Sequence, residues 1–315
     1  MRRVFFLSGF DVGILRNMAA KRFSADVLSA VYPGLRGFDF MNAGSYKSVY
    51  RVIRADGVAE VLKVICLPLA GQSDEARAIR QQELGRARRE VALLRECQSP
   101  FVVKLGSVPP EVRELEGDTC VVYTEELLLG RELKAIIRPD NQPQAGEIKR
   151  LLRCLVQAIH ALWTEQRTVH RDIKPGNVFA TGLTDRPYVL LDLGIAYNVT
   201  EPGLTAQTGF IPATPRYMAP EMLDPNFRES LSFRADLYTA GVTAFEFATG
   251  GIHPLARTAD DLIQTITRIL HQEPRRLGNE RGDLPPELAS LVDQMIKKNP
   301  ALRPGNLKLL LKQLE

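Results

Sequence analysis

The chain has 315 residues, 45% of them hydrophobic and 25% charged, with 41 basic against 37 acidic side chains and a net charge of +4. That length allows two lobes with a sizeable core, and the near-balance of charge gives no electrostatic case for nucleic acid. No run of about 18 apolar residues is available to span a bilayer, and the four scattered cysteines, Cys66, Cys97, Cys120 and Cys154, lack the C-x-x-C spacing of a zinc site and fit a reducing compartment.

The N-terminal MRRVFFLSGFDVGIL begins like a secretory leader, but Asp11 interrupts its apolar run and no small-x-small cleavage site follows, so a cytoplasmic chain with no membrane contact is expected. Next comes SADVLSAVY, a helical stretch with Ser24 placed to cap its N-terminus. Residues 1–36 therefore read as an extension ahead of the main fold. SVYRVIRADGVAEVLKVI predicts two strands joined at Asp56-Gly57. The Ala-, Leu-, Glu- and Arg-rich DEARAIRQQELGRARREVALLREC predicts a helix, and FVVKLGSV and TCVVYTEELLL two further strands.

From about residue 144 the pattern becomes helical. GEIKRLLRCLVQAIHALWTE carries apolar residues at helical spacing: Leu151, Leu152, Leu155, Val156, Ile159 and Leu162. LYTAGVTAFEFATG is apolar enough for a buried helix, and PPELASLVDQMIKKNP is amphipathic and bounded by prolines. The expected fold is α+β and bilobal: a small antiparallel β-rich lobe with one important helix over 37–128, then a larger, mainly α-helical lobe over 129–315.

Between the helices lies VHRDIKPGNVF, which packs His, Arg, Asp, Lys and Asn into eight positions and is followed closely by the strand-like VLLDLG. A loop this polar is ordinarily just solvated. Taken in order, however, HRDIKPGN, DLG and ATPRYMAPE, with Lys63 upstream in VLKV and RADLYTAGV and NPALRP downstream, resemble the protein-kinase signature set over roughly residues 37–312. The resemblance is to the serine/threonine branch, and PGN in the catalytic loop looks like the bacterial, eukaryotic-like members.

The resemblance implies a role for each matching residue. Asp172 becomes the base that takes the proton of a substrate hydroxyl, and Lys174 reaches the transferred phosphoryl group. Asn177 and Asp192 become oxygen ligands for magnesium. Lys63 would face the α- and β-phosphates of ATP, held there by a glutamate on the following helix, Glu90, with Glu83 as runner-up. The phosphate-covering loop NAGSYKSV keeps only Gly44 and Val49, with Asn42 and Lys47 where the family has glycines. Asn tolerates left-handed φ, whereas Lys47 either lies over the phosphates or stiffens the loop. Met41, Val49 and Val61 would enclose the adenine from one side and Phe179 from the other, with backbone groups of Glu126 and Leu128 on the base edge. His170, Asp236 and the pair Glu221–Arg303 are expected to be structural. Thr214 resembles the residue whose hydroxyl serves Asp172 and Lys174, and Thr200, Thr205 and Thr208 are candidate phosphosites in an activation segment, with Arg171 to receive a phosphate.

The expected activity is transfer of the ATP γ-phosphoryl group to Ser/Thr hydroxyls of protein substrates, with autophosphorylation; self-association for that step is left open. The alternative is a catalytically weak, pseudokinase-like nucleotide-binding scaffold, motivated by Asn42 and Lys47. A small-molecule phosphotransferase of related fold would ordinarily lack the APE segment that is present here.

Overall fold

The computed structural model describes residues 21–43, 47–67, 81, 84–85, 92–193, 197–198, 215–224, 227 and 231–315. The described residues group into two compact units, a small one with the residues up to Leu84 and Gly106–Leu127, and a large one with Gly85–Leu105 and Leu128–Glu315.

The small unit is a five-stranded antiparallel sheet. Its strands are β1 (Leu35–Ala43), β2 (Lys47–Arg54), β3 (Ala59–Cys66), β4 (Glu111–Leu115) and β5 (Asp118–Glu126), in the order β1-β2-β3-β5-β4. β2 and β3 form the expected hairpin: Gly57 takes φ +87°, which an L side chain rarely adopts, and the Asp56 carboxylate accepts from Val58 N at 3.2 Å. Alternation sends Tyr50, Val52, Leu62, Val64, Cys120 and Val122 to one face, where they form the core.

That core is completed by residues expected to precede the fold. Helix α1 (Ala25–Val31) starts at Ser24, whose Oγ accepts from Val27 N at 3.3 Å, as the sequence implied. Phe23, Leu28, Tyr32 and Leu35 then pack into the sheet's core. Polar contacts tie the segment down: Tyr50 Oη accepts from Phe23 N at 2.7 Å, Ser48 Oγ donates to Lys21 O at 2.6 Å, and Lys21 Nζ meets Asp118 at 2.6 Å. Residues 21–36 thus supply one layer of the small unit.

Two strand expectations change. Residues 101–108 form no strand; Val102 makes a single parallel bridge to Leu190, through Leu190 N to Phe101 O (2.8 Å) and Val103 N to Leu190 O (3.1 Å). The strand lies further on, in β4, whose EVREL pattern is exposed except at Leu115 and the partly buried Glu111. An edge strand with one side in solvent tolerates charges that read as loop in a sequence.

The large unit is built around α2 (Ala145–Gln166) and α3 (Phe233–Thr249). A reciprocal cap of Gln144 and Glu147 starts α2, and its Ile148, Leu151, Leu152, Leu155, Val156, Ile159 and Leu162 are all buried. Helix α3 is buried along nearly its whole length and stops at Gly250, φ +69°, where a Cβ would come within 2.5 Å of Arg138 O. Helices α4 (Leu262–His271), α5 (Pro286–Met295) and α6 (Leu307–Gln313) belong to the same unit, as do the single-turn helices Leu133–Ile136 and Leu277–Glu280. Described residues 92–105, expected with the small lobe, belong to this unit: Gln166 Nε2 donates to Leu93 O at 3.1 Å, Gln98 N to Glu165 at 3.2 Å, and Arg186 to the carbonyls of Pro100 and Val102. Among the described residues, no helix is long and apolar enough to cross a membrane.

Candidate functional site

The candidate residues fall into two groups, one on each unit. In the small unit the register is decisive. Val49 opposes Lys63, which opposes Tyr123; Arg51 opposes Val61, which opposes Glu125. Directly opposed residues of an antiparallel sheet share a face, so Val49, Val61 and Lys63 lie together on the face away from the core, with Lys47 on the same face opposite Ile65. Met41 sits at the β1 irregularity between Phe40 and Asn42 and is 52% exposed. Glu126 ends β5, half-buried, and Leu128 lies two residues beyond it. Asn42 is an ordinary strand residue whose side chain accepts from Ala43 N at 2.8 Å; it does not use the left-handed φ considered for it. Gly44 lies outside the described residues.

Lys63 is buried, 7% exposed, with its Nζ 5.6 Å from the centre of the Tyr123 ring. Glu90 and its runner-up Glu83 lie outside the described residues. Among the described residues Lys63 is set against Glu125, itself buried, with Oε1 at 2.5 Å from Nζ. Sequence reasoning missed this residue because β5 carries adjacent glutamates; only the register shows that Glu125, two places after the residue opposite Lys63, is on its face.

In the large unit the site grows from short strands: β6 (Arg131–Glu132), β7 (Thr168–Val169), β8 (Val178–Ala180) and β9 (Tyr188–Leu190), with β8 between β6 and β9. Gly130, φ +142°, permits β6 to approach β8, because a Cβ there would overlap Ala180 O. Half-buried Phe179, in β8, pairs with Val189 and Glu132.

Between β7 and β8 the chain turns sharply, and Arg171 takes φ +69°. Asp236, fully buried at the start of α3, holds this turn: Oδ2 accepts from His170 N at 2.7 Å and Oδ1 from Arg171 N at 2.8 Å. Burial pushes the Asp236 carboxyl above its ordinary range, against the opposing pull of His170, Arg171 and the two backbone donors. His170 is buried too. Its Nδ1 accepts from Asp172 N at 3.2 Å, so the proton sits on Nε2, which donates to Leu191 O at 3.1 Å. Both residues thus shape the loop's backbone, as expected.

Within that frame Asp172, Lys174 and Asn177 come together. Lys174 Nζ lies 2.7 Å from Asp172 Oδ2, and Asn177 Nδ2 donates to the same oxygen and to Asp172 O, each at 2.9 Å. Asp172 Oδ1 is buried and has no hydrogen-bond partner among the described residues. Leu191 N donates to Asn177 O at 2.8 Å, and Asp192, φ +60°, follows two residues after the end of β9. Leu193 is buried. Further along, Arg303 forms the expected two-pronged pair with Glu221, at 2.6 and 2.8 Å, and stands 4.8 Å from the Tyr238 ring centre. Thr200, Thr205, Thr208 and Thr214 lie outside the described residues.

The family model for the protein kinase domain matches residues 40–314. The chain is similar to the dual specificity mitogen-activated protein kinase kinase mek-1 of Caenorhabditis elegans, 35% identical over 160 residues that make up 50% of this chain and 42% of that protein. It is also similar to the serine/threonine-protein kinase PknD of Mycobacterium tuberculosis, 29% identical over 69% of this chain and 31% of PknD. With serine/threonine-protein kinase pkn3 of Myxococcus xanthus it shares 30% identity over 60% of this chain and 35% of pkn3. The chain spans less than half the length of these curated relatives. With the kinase motifs in order, the bilobal sequence pattern realised as an antiparallel sheet unit and a helical unit, and the family model spanning nearly all of it, the chain belongs to the protein kinase family.

Proposed function

We propose that this chain transfers the γ-phosphoryl group of ATP to serine or threonine hydroxyls of protein substrates, with magnesium, and that it acts on its own activation segment. The observation that carries the proposal is the hydrogen-bonded group of Asp172, Lys174 and Asn177, in which one carboxylate oxygen is buried and left without a partner among the described residues. A buried, unpaired acceptor is costly unless a ligand's donor completes it, and a substrate hydroxyl is such a donor.

Each side chain then has one task. Asp172 Oδ1 accepts the hydroxyl proton while Lys174 balances negative charge on the phosphoryl being transferred. The amide nitrogen of Asn177 is engaged by Asp172, which leaves its carbonyl oxygen for a cation; with the Asp192 carboxylate this is a hard oxygen set that fits magnesium. Magnesium, when bound, neutralises triphosphate charge. Lys63 meets the α- and β-phosphates, and Val49 and Val61, on its face of the sheet, supply apolar contact to the base. Serine/threonine selectivity is supported by Lys174 after HRDI and by the names of PknD and pkn3. No observation on the described residues favours the scaffold alternative.

Labelled ATP with magnesium and a generic protein substrate tests the reading. Asp172→Ala is expected to lower transfer by roughly 100- to 10,000-fold while nucleotide affinity changes little, since a base is lost and not a phosphate contact. Label recovered on tyrosine, or a variant that still transfers at the wild-type rate, refutes it.

A further inference from the structure

We propose that Glu125 is a positioning residue that governs, through Lys63, how tightly the small unit takes a nucleotide's phosphates. The inference rests on the proposed role of Lys63 and deepens it.

The arrangement follows from strand register. Lys63 opposes Tyr123, and Glu125 follows two residues later on the same face, a diagonal neighbour across β3 and β5. Both residues are buried, 7% and 4% exposed, and their charged atoms are 2.5 Å apart. Val49 and Val61 flank the lysine stem and the Tyr123 ring lies beside its ammonium. The stem is therefore set by sheet packing, and the carboxylate sets the direction and the effective charge of the ammonium. Both residues belong to one hydrogen-bonded strand pair, so the ion pair travels with the sheet.

In so dry a setting a carboxylate on Lys63 and a phosphate oxygen brought to Lys63 repel each other strongly. The nucleotide must share the ammonium with Glu125. Removing the negative charge while keeping a hydrogen-bond acceptor of the same reach should leave Lys63 more strongly positive toward phosphate. Without the carboxylate the ammonium is also less firmly aimed, so the turnover rate should fall even as binding tightens.

The test is a double-mutant cycle on the full chain, with magnesium-ADP affinity measured by calorimetry and ATP KM and kcat by assay. Glu125→Gln is expected to lower the ADP dissociation constant by about threefold or more, the size of coupling usual between touching residues, to lower the ATP KM and to lower kcat. In a Lys63→Met background the same change is expected to have no effect on ADP affinity. If Lys63→Met alone leaves ADP affinity unchanged, the phosphate role of Lys63 fails. If Lys63→Met weakens binding but Glu125→Gln does not tighten it, or acts equally in both backgrounds, Glu125 is not working through Lys63 and the inference falls. Should Glu125→Gln not fold, wild-type protein carrying ¹³C in glutamate carboxyl groups decides the matter. The Glu125 signal, identified by its loss in Glu125→Asp, must move on addition of magnesium-ADP, and a signal that stays still overturns the proposal.

Discussion

His253 shows how much one side chain's surroundings can shift its chemistry. It is buried just past α3, its Nδ1 accepts from Leu255 N at 3.0 Å and Ala256 N at 2.8 Å, and its Nε2 has no partner among the described residues. Burial, with help from the Arg216 charge, pulls its pKa from 6.5 down to about 3. The folded state therefore holds His253 neutral where the unfolded chain binds a proton. Its contribution to stability is complete above pH 6.5 and is lost progressively as pH falls toward 3, at about 1.4 kcal/mol per pH unit. His253→Asn, which keeps an acceptor near the two backbone donors, should flatten the decline in urea-unfolding free energy between pH 6.5 and about 5 by roughly 2 kcal/mol; an unchanged slope would show that His253 is protonated in the fold. Asp236 acts on backbone instead. Asp236→Asn would set an NH₂ group against one of the two N–H donors it now satisfies. Stability is expected to drop by about 1–3 kcal/mol, and kcat to fall with nucleotide affinity nearly unchanged. Equal kcat in the two proteins would mean the turn at Arg171 holds itself.

At the scale of elements, α1 is the informative case. Its cap and helical spacing were readable, yet its place was not, because a short amphipathic helix looks the same whether it decorates a fold or completes one. In the structure Leu28 is fully buried against the sheet beside Phe23 and Tyr32. Leu28→Ala should therefore cost about 2–5 kcal/mol of stability, measured by urea unfolding followed through the small unit's tyrosines, whereas a loss under about 1 kcal/mol would show the segment to be dispensable. The β2–β3 hairpin, by contrast, was legible in detail, since Asp56-Gly57 encodes its own turn and alternation encodes both faces. Strand β4 went unseen because its outward charges are what an edge requires, and 101–108 looked like a strand because Val102 and Val103 are buried, though only one residue of β9 pairs there.

For the molecule as a whole, the motifs alone carried the family and the α+β division, and they nominated Asp172, Lys174, Asn177 and Asp192 as candidates, because each of these is written in a contiguous motif whose spacing is its chemistry. Tertiary structure alone decided that Glu125 faces Lys63, that Asp236 reaches back 66 and 65 positions to the amides of His170 and Arg171, that residues 21–36 close the small unit's core, and that 92–105 pack with the helical unit. The physical reason is common to all four. A local pattern states what a segment can form, while the choice of partner depends on register and on burial between segments distant in the chain, where many acids and many apolar stretches would satisfy the pattern equally well.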